Sequence, residues 1–137
     1  MKLQVFNKAN CQLVKIGKPT ISISQGVGVM TLSKYASDMM GFKALDEVAL
    51  AYDSDNNEWY IYKVQKDGFK LRASSGKFGT SLMFNNKNVV NNIQKHLDDK
   101  FYGRNGRMLI GSERIIGDNG EEYWPIITAS FKPFKNS

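Results

Sequence analysis

Residues 48–73 read VALAYDSDNNEWYIYKVQKDGFKLRA. Three runs rich in apolar, aromatic and β-branched residues are separated by Asp-Ser-Asp-Asn-Asn and by Asp67-Gly68, both turn-forming stretches. Asp-Gly between two strands predicts a two-residue type I′ turn. That turn sets Lys66 opposite Phe69, Val64 opposite Leu71 and Lys63 opposite Arg72. A five-residue loop at 53–57 sets Tyr52 opposite Glu58, Leu50 opposite Tyr60 and Val48 opposite Tyr62. Successive side chains of a strand point to opposite faces, so this register sorts them. Val48, Leu50, Tyr60, Tyr62, Val64, Phe69 and Leu71 form a core face. Ala49, Ala51, Trp59, Ile61, Lys63, Lys70 and Arg72 form the other. The second face sets an indole on small Ala side chains beside three cations, which is what stacking of unpaired bases on an open sheet requires. The alternative is that Trp59 and Ile61 pack against the first half of the chain, with the cations at the rim. A slip of one residue in register exchanges the two faces.

Outward from this stretch the chain reads as short strands. Strands at 2–6, 11–16, 20–24 and 28–32 precede a short helix at 33–40, with Ser33 as N-cap and Gly41 as its end. Strands at 47–52, 58–66, 69–73 and 80–84 precede a helix at 86–98. Asn85 is its predicted N-cap, Phe84 and Val89 its hydrophobic staple, and Val89, Val90, Ile93 and Leu97 its apolar face. Strands near 107–116 and 121–128 flank Asp118-Asn119-Gly120, a hairpin signal. No linker interrupts the pattern. The expectation is one domain over 1–137, of α+β class, mainly antiparallel sheet with two helices. A twofold plan of four strands and then a helix is visible in the order of elements.

The chain has 137 residues and a net charge of +6. That length suffices for a core without disulfide or metal. The charge is unevenly spread, at +5 over residues 1–43, −4 over 44–64, +6 over 65–110 and −1 over 111–137. Patches of positive charge fit a nucleic-acid partner, since phosphate contacts supply most sequence-independent affinity. Residues 100–107, Lys-Phe-Tyr-Gly-Arg-Asn-Gly-Arg, make a second candidate site. There Arg104 and Arg107 clamp phosphates while Phe101 or Tyr102 stacks; the plainer reading is a hairpin lead-in with exposed arginines.

One Cys and one His, Cys11 and His96, argue against a zinc site and against Cys–His catalysis. Asp53-x-Asp55-x-Asn57 begins like a calcium loop, but Glu58 stands at the sixth position and Val64 at the twelfth. The loop at 74–80 lacks phosphate-loop spacing. No nucleophile has a base beside it in the pattern, so neither enzymatic activity nor a cofactor is expected. No apolar run is long enough to cross a membrane. A single Cys and no signal-like start point to the cytoplasm. The Asn- and Lys-rich composition is compatible with an AT-rich bacterial or phage genome.

Two resemblances bear on function. Gly28-Val-Met-Thr-Leu-Ser33, Ala36, Met40-Gly41-Phe42 and Asp46-Glu-Val48 resemble the swapped-hairpin transcription regulators of the AbrB/SpoVT type over residues 20–52. That resemblance implies an interlaced homodimer and binding of duplex DNA, with Thr31 and Ser33 as either phosphate contacts or helix caps. Residues 47–98, with Thr80-Ser-Leu-Met-Phe-Asn85 before an amphipathic helix, look like the four-strand-and-helix unit of the single-strand-binding coactivator and whirly families. This second resemblance implies oligomers with single-stranded DNA across the sheets. The first expectation is therefore a non-enzymatic single-stranded-DNA-binding protein using Trp59, Lys63, Lys70, Arg72, Phe101, Tyr102, Arg104 and Arg107. An AbrB-like duplex-binding regulator comes second, and a structural or protein-interaction module of a phage or mobile element third. Residues 20–41 offer little core of their own, which predicts that a second copy covers them.

Overall fold

Ten strands and two α-helices follow one another along the described residues, 18–73 and 81–135, of a computed structural model. In chain order they are β1 (Thr20–Ser24), β2 (Val29–Leu32), α1 (Lys34–Met40), β3 (Glu47–Asp53), β4 (Glu58–Val64), β5 (Phe69–Lys70), β6 (Arg72–Ala73), β7 (Leu82–Asn85), α2 (Lys87–Lys95), β8 (Gly106–Ile110), β9 (Ile115–Ile116) and β10 (Glu122–Pro133), with a 3-10 turn at Asp99–Phe101 before β8. The fold is α+β with the antiparallel sheet dominant. The strands expected at 2–6 and 11–16 and the loop at 74–80 lie outside the described residues.

Nine strands form one antiparallel order, β5-β3-β4-β10-β8-β1-β2-β7-β6, and β9 pairs with β10 beside it. The first and last strands of that order are separated in the chain only by Leu71. Leu71 is fully buried, its N–H donates to the Asp46 carbonyl at 2.8 Å and its carbonyl accepts from the Leu45 N–H at 2.8 Å. The sheet thus closes on itself as a barrel. Alternation fills the interior with Ile21, Ile23, Met30, Leu32, Val48, Ile61, Leu82, Phe84, Met108, Ile110, Trp124 and Ile126, all in one core cluster.

The helices complete that core at opposite ends of the β3–β4 hairpin. α1 begins at Ser33, whose Oγ accepts from the Ala36 N–H, and ends at Gly41 (φ 71°). It buries Ala36 and Met40, and the Gly41 carbonyl accepts from Lys63 Nζ at the open end of the hairpin. α2 buries Val90 and Ile93, and His96 at its C-terminus lies against Tyr52 and Trp59 near the hairpin tip.

The pairings obey an internal twofold. β1–β2, α1 and β3–β4 in the first half match β6–β7, α2 and β8–β10 in the second. β1 pairs with β8 as β5 pairs with β3, while β2–β7 and β4–β10 join the halves. The repeating unit is therefore hairpin, helix, hairpin, rather than four strands and a helix. Ile21, Ile23, Leu32 and Met40 are buried within the chain itself. The premise that residues 20–41 need a second copy to cover them is corrected accordingly.

Three local predictions are also corrected. Asp53 pairs with Glu58 and Leu50 with Ile61, so the hairpin tip holds four residues, 54–57, with Asn57 at φ 53°. This slip of one residue exchanges the faces. Trp59 and Ile61 point into the barrel, while Tyr60 and Tyr62 stand on its outside opposite Ala51 and Ala49. At Asp67-Gly68 only Asp67 has a positive φ, 61°, so no type I′ turn forms. Instead residues 65–68 cross the start of β3, and β5 pairs with β3, not β4. The crossing is tight: a Cβ on Gly68 would lie 2.4 Å from Val64 Cγ2 and 3.0 Å from the Val48 carbonyl oxygen. Finally, Asn86 rather than Asn85 caps α2, accepting from the Val89 N–H at 3.0 Å.

Candidate nucleic-acid interface

Because the interior residues alternate with outer ones, the registers line up side chains around the barrel. Arg72 is partnered by Met83, Met83 by Thr31, Thr31 by Ser22, Ser22 by Arg107 and Arg107 by Lys132. Their strand neighbours Leu71, Leu82, Phe84, Met30, Leu32, Ile21, Ile23, Met108 and Phe131 are buried, so this row faces outward. It crosses β6, β7, β2, β1, β8 and β10. At about 4.8 Å between strands, Arg72 and Arg107 stand roughly 19 Å apart along the surface. No Asp or Glu occurs in β1, β2, β5, β6, β7 or β8. Small hydroxyl side chains at Thr20, Ser22, Ser24 and Thr31 make the floor, and cations stand at both ends.

The guanidinium of Arg72 donates to Asn85 Oδ1, and Asn85 Nδ2 donates to the Val27 carbonyl at 3.4 Å. Asn85, one position ahead of the true cap, thereby ties Arg72 to the β1–β2 turn. Lys70 points outward from β5, next to buried Leu71. Ser33 is spent as the cap of α1, which leaves Thr31 as the outward hydroxyl of that pair.

The loop before β8 adds an aromatic. Gln94, buried in α2, holds it from below: Oε1 accepts from the Gly103 N–H at 2.6 Å, and Nε2 donates to the carbonyls of Phe101 and Arg104 at 3.5 and 3.4 Å. Phe101 packs on Phe131 with ring centroids 5.0 Å apart, so it serves the core. Tyr102 instead is 75% exposed. Arg104 Nη2 donates to the Phe134 carbonyl at 3.4 Å, and the Phe134 N–H donates to Asn105, which brings the C-terminal end of β10 against the loop.

Two of the predicted site residues lie elsewhere. Trp59 is 7% exposed, with its ring 5.1 Å from Tyr52 and 5.5 Å from His96. It offers no face for stacking, a correction that follows from the one-residue slip in register. Lys63 is tethered at the α1 end: its ammonium sits 3.2 Å from Asp46 Oδ2, donates to the Gly41 carbonyl and lies over the Phe42 ring. The Lys43 amide, donating to Asp46 at 2.8 Å, together with Lys63 holds the Asp46 carboxyl below its ordinary range. Arg72, Arg107, Lys70, Tyr102 and Arg104 share the outer surface or the loop that joins it. Lys132 was not among the predicted residues. Its pairing with Arg107 joins positions 25 apart in the chain, and no local pattern announces it.

The opposite side of the barrel has other chemistry. Tyr60, Tyr62 and Tyr123 form a ring cluster on the outside of β4 and β10, with Tyr62 and Tyr123 centroids 4.7 Å apart. Tyr60 Oη donates to Glu58, which raises its pKa to about 12 with a further contribution from burial. Burial raises Tyr123 as well. Glu47, Asp53, Glu58 and Glu122 make this side acidic. A cleft of about 860 Å³ beside it sets Lys63 and Lys66 against Glu121 and Glu122, so its charge is balanced.

The chain matches no family model, no curated protein and no solved structure. No helix among the described residues is long and apolar enough to cross a membrane.

Proposed function

We propose that this protein is a non-enzymatic nucleic-acid-binding protein that holds single-stranded DNA along the arc from Arg72 to Lys132. The observation that carries the reading is the row of outward side chains from Arg72 to Lys132, which itself holds no carboxylate across six strands and ends in cations on both sides. Phosphates are drawn by such a field, and hydroxyls on the floor donate to phosphate oxygens. Tyr102, exposed beside this arc on the loop that leads into β8, supplies the stacking surface that distinguishes a single strand from a duplex. Its place of action is the cytoplasm. We retain self-association as a homodimer or higher homo-oligomer, joined not through residues 20–41 but through Ile115, Ile116 and Ile127, which are exposed on β9 and β10. Light scattering at micromolar concentration showing a monomer removes self-association.

The test is a salt titration with a labelled single strand and a duplex of the same sequence. About four phosphate contacts to a single strand give a log–log slope near −3. Tighter binding of the duplex turns the reading to a duplex-binding regulator of the AbrB-like kind. A slope near zero, or no binding at low salt, overturns nucleic-acid binding. It leaves a structural or protein-interaction module of a phage or mobile element.

A further inference from the structure

The β1–β2 turn and α2 enclose a groove next to the basic arc. Gly28 (φ 68°) brings the turn against the helix so closely that a Cβ there would lie 2.7 Å from Lys87 Cα, and its carbonyl accepts from the Asn86 N–H at 2.8 Å. This places Gln25 beside the outer face of α2. The resulting cavity, about 310 Å³, is lined by amides, notably Gln25, Asn88 and Asn91, with Lys95 and Tyr102 at its margin. The lining contains no carboxylate and no aliphatic side chain.

We infer that this groove is a pocket for one unpaired nucleobase, stacked on Tyr102 and hydrogen-bonded by the amides of Gln25 and Asn91. The inference rests on the nucleic-acid reading above and assigns its base-binding part. An amide presents a donor and an acceptor side by side, the pattern that base edges offer. Unpaired bases are taken in this way, one face on an aromatic ring and the edge on amides. The volume lies at the lower end of the ~300–1,000 Å³ usual for small-ligand sites, so it suits one base with its sugar and not a stacked pair.

Two details favour a ligand over a merely polar surface. The Gln25 N–H donates to Asn105 Oδ1 at 2.7 Å, which fixes its backbone, while its side-chain Nε2 is shielded and has no acceptor among the described residues, so a turn of the amide toward the groove lets a base edge pair with it. Buried donors are almost always paired. Gln94 meanwhile spends its whole amide on the loop that carries Tyr102, so the stacking ring stands on a fixed base. Lys95 at the groove and Arg107 beyond Asn105 sit where the strand's phosphates enter and leave.

The experiment compares a short abasic strand with the same strand carrying a single 2-aminopurine at its centre. The wild-type protein binds the 2-aminopurine strand roughly tenfold more tightly and quenches its emission, as expected for one base–aromatic stack. Tyr102→Ala abolishes both the quenching and the preference while keeping the salt slope, and so does Gln25→Ala combined with Asn91→Ala for the preference. Circular dichroism confirms that each variant is folded. Equal binding of the two strands by the wild type overturns the pocket and leaves the nucleic-acid reading standing. Quenching that survives Tyr102→Ala also overturns it. Failure to bind either strand at low salt overturns both readings together.

Discussion

The two sides of the barrel share one interior and differ in almost everything outside it. On one side, β1, β2, β6, β7 and β8 expose hydroxyls, Arg72 and Arg107 without any acid. On the other, β3, β4 and the start of β10 carry buried Tyr60 and half-buried Tyr62 and Tyr123 on the outer face, among Glu47, Asp53, Glu58 and Glu122. Both sides rest on the same apolar cluster. The difference teaches where stability and recognition are to be sought. Stability lies in the inward residues of every strand, and the polarity of the outer surface is free to be spent on a partner.

The largest effect that tests this separation is expected at Trp59. Trp59→Ala empties a core position and should cost about 3–5 kcal/mol in urea denaturation, with oligonucleotide affinity per folded molecule unchanged. Tyr60→Ala, its neighbour, should cost less, about 1–3 kcal/mol, because Tyr60, though equally buried, lies outside the core cluster and packs against Tyr123 on the outer face. The reverse ranking would mean that the two sides are exchanged. A smaller effect is expected on the acid-free side. Arg72→Ala together with Arg107→Ala should flatten the log–log salt slope by about 1.4 for two lost phosphate contacts on a single strand. Tyr62→Ala on the opposite side should leave that slope as it was.

The smallest effect concerns Tyr60 itself. Its pKa is raised to about 12 by its bond to Glu58, above the ordinary value of 10.0 that it regains on unfolding. The stability linked to this proton is therefore fully present below pH 10 and is lost as the pH climbs through about 12. Ultraviolet titration should show one tyrosine ionising late, and Glu58→Gln should bring it back toward 10. If the late tyrosine persists in that variant, burial and not Glu58 dominates.

How far the sequence could be read follows from how local each signal is. Thr20–Ser24 alternates strictly and is bounded by Lys18-Pro19 and Gln25-Gly26, so its strand was legible to the residue. Ser33 and Gly41 likewise frame α1 by chemistry that acts within one turn. The tip at 53–57 was less determinate: with Asn at both 56 and 57, the left-handed position could fall on either, and one residue decided which face held Trp59. Asp67-Gly68 misled because a short-range hairpin preference lost to the crossing over β3, which buries Phe69 against Phe84 in a stacked pair 5.1 Å apart. At the candidate site, Arg72, Arg107 and Tyr102 could be picked out as exposed cations and an aromatic in basic stretches. Lys132 beside Arg107 and Gln25 beside α2 could not, since each position is set by pairing across the whole chain.

The single residue that joins β5 to β6 also joins the two edges of the sheet. A closed barrel has no free edge, but until residues 69–73 are seated, β3 and β7 both present unpaired backbone to any other chain. Five residues thus stand between a closed barrel and two unpaired strand edges. Lys70 and Arg72, the outward members of that stretch, place a charge at each flank of Leu71. Charges at such positions act as gatekeepers against edge-to-edge association. Lys70 and Arg72, which the proposed function sets on the outer surface that meets phosphate, thus also flank the residue that closes the barrel.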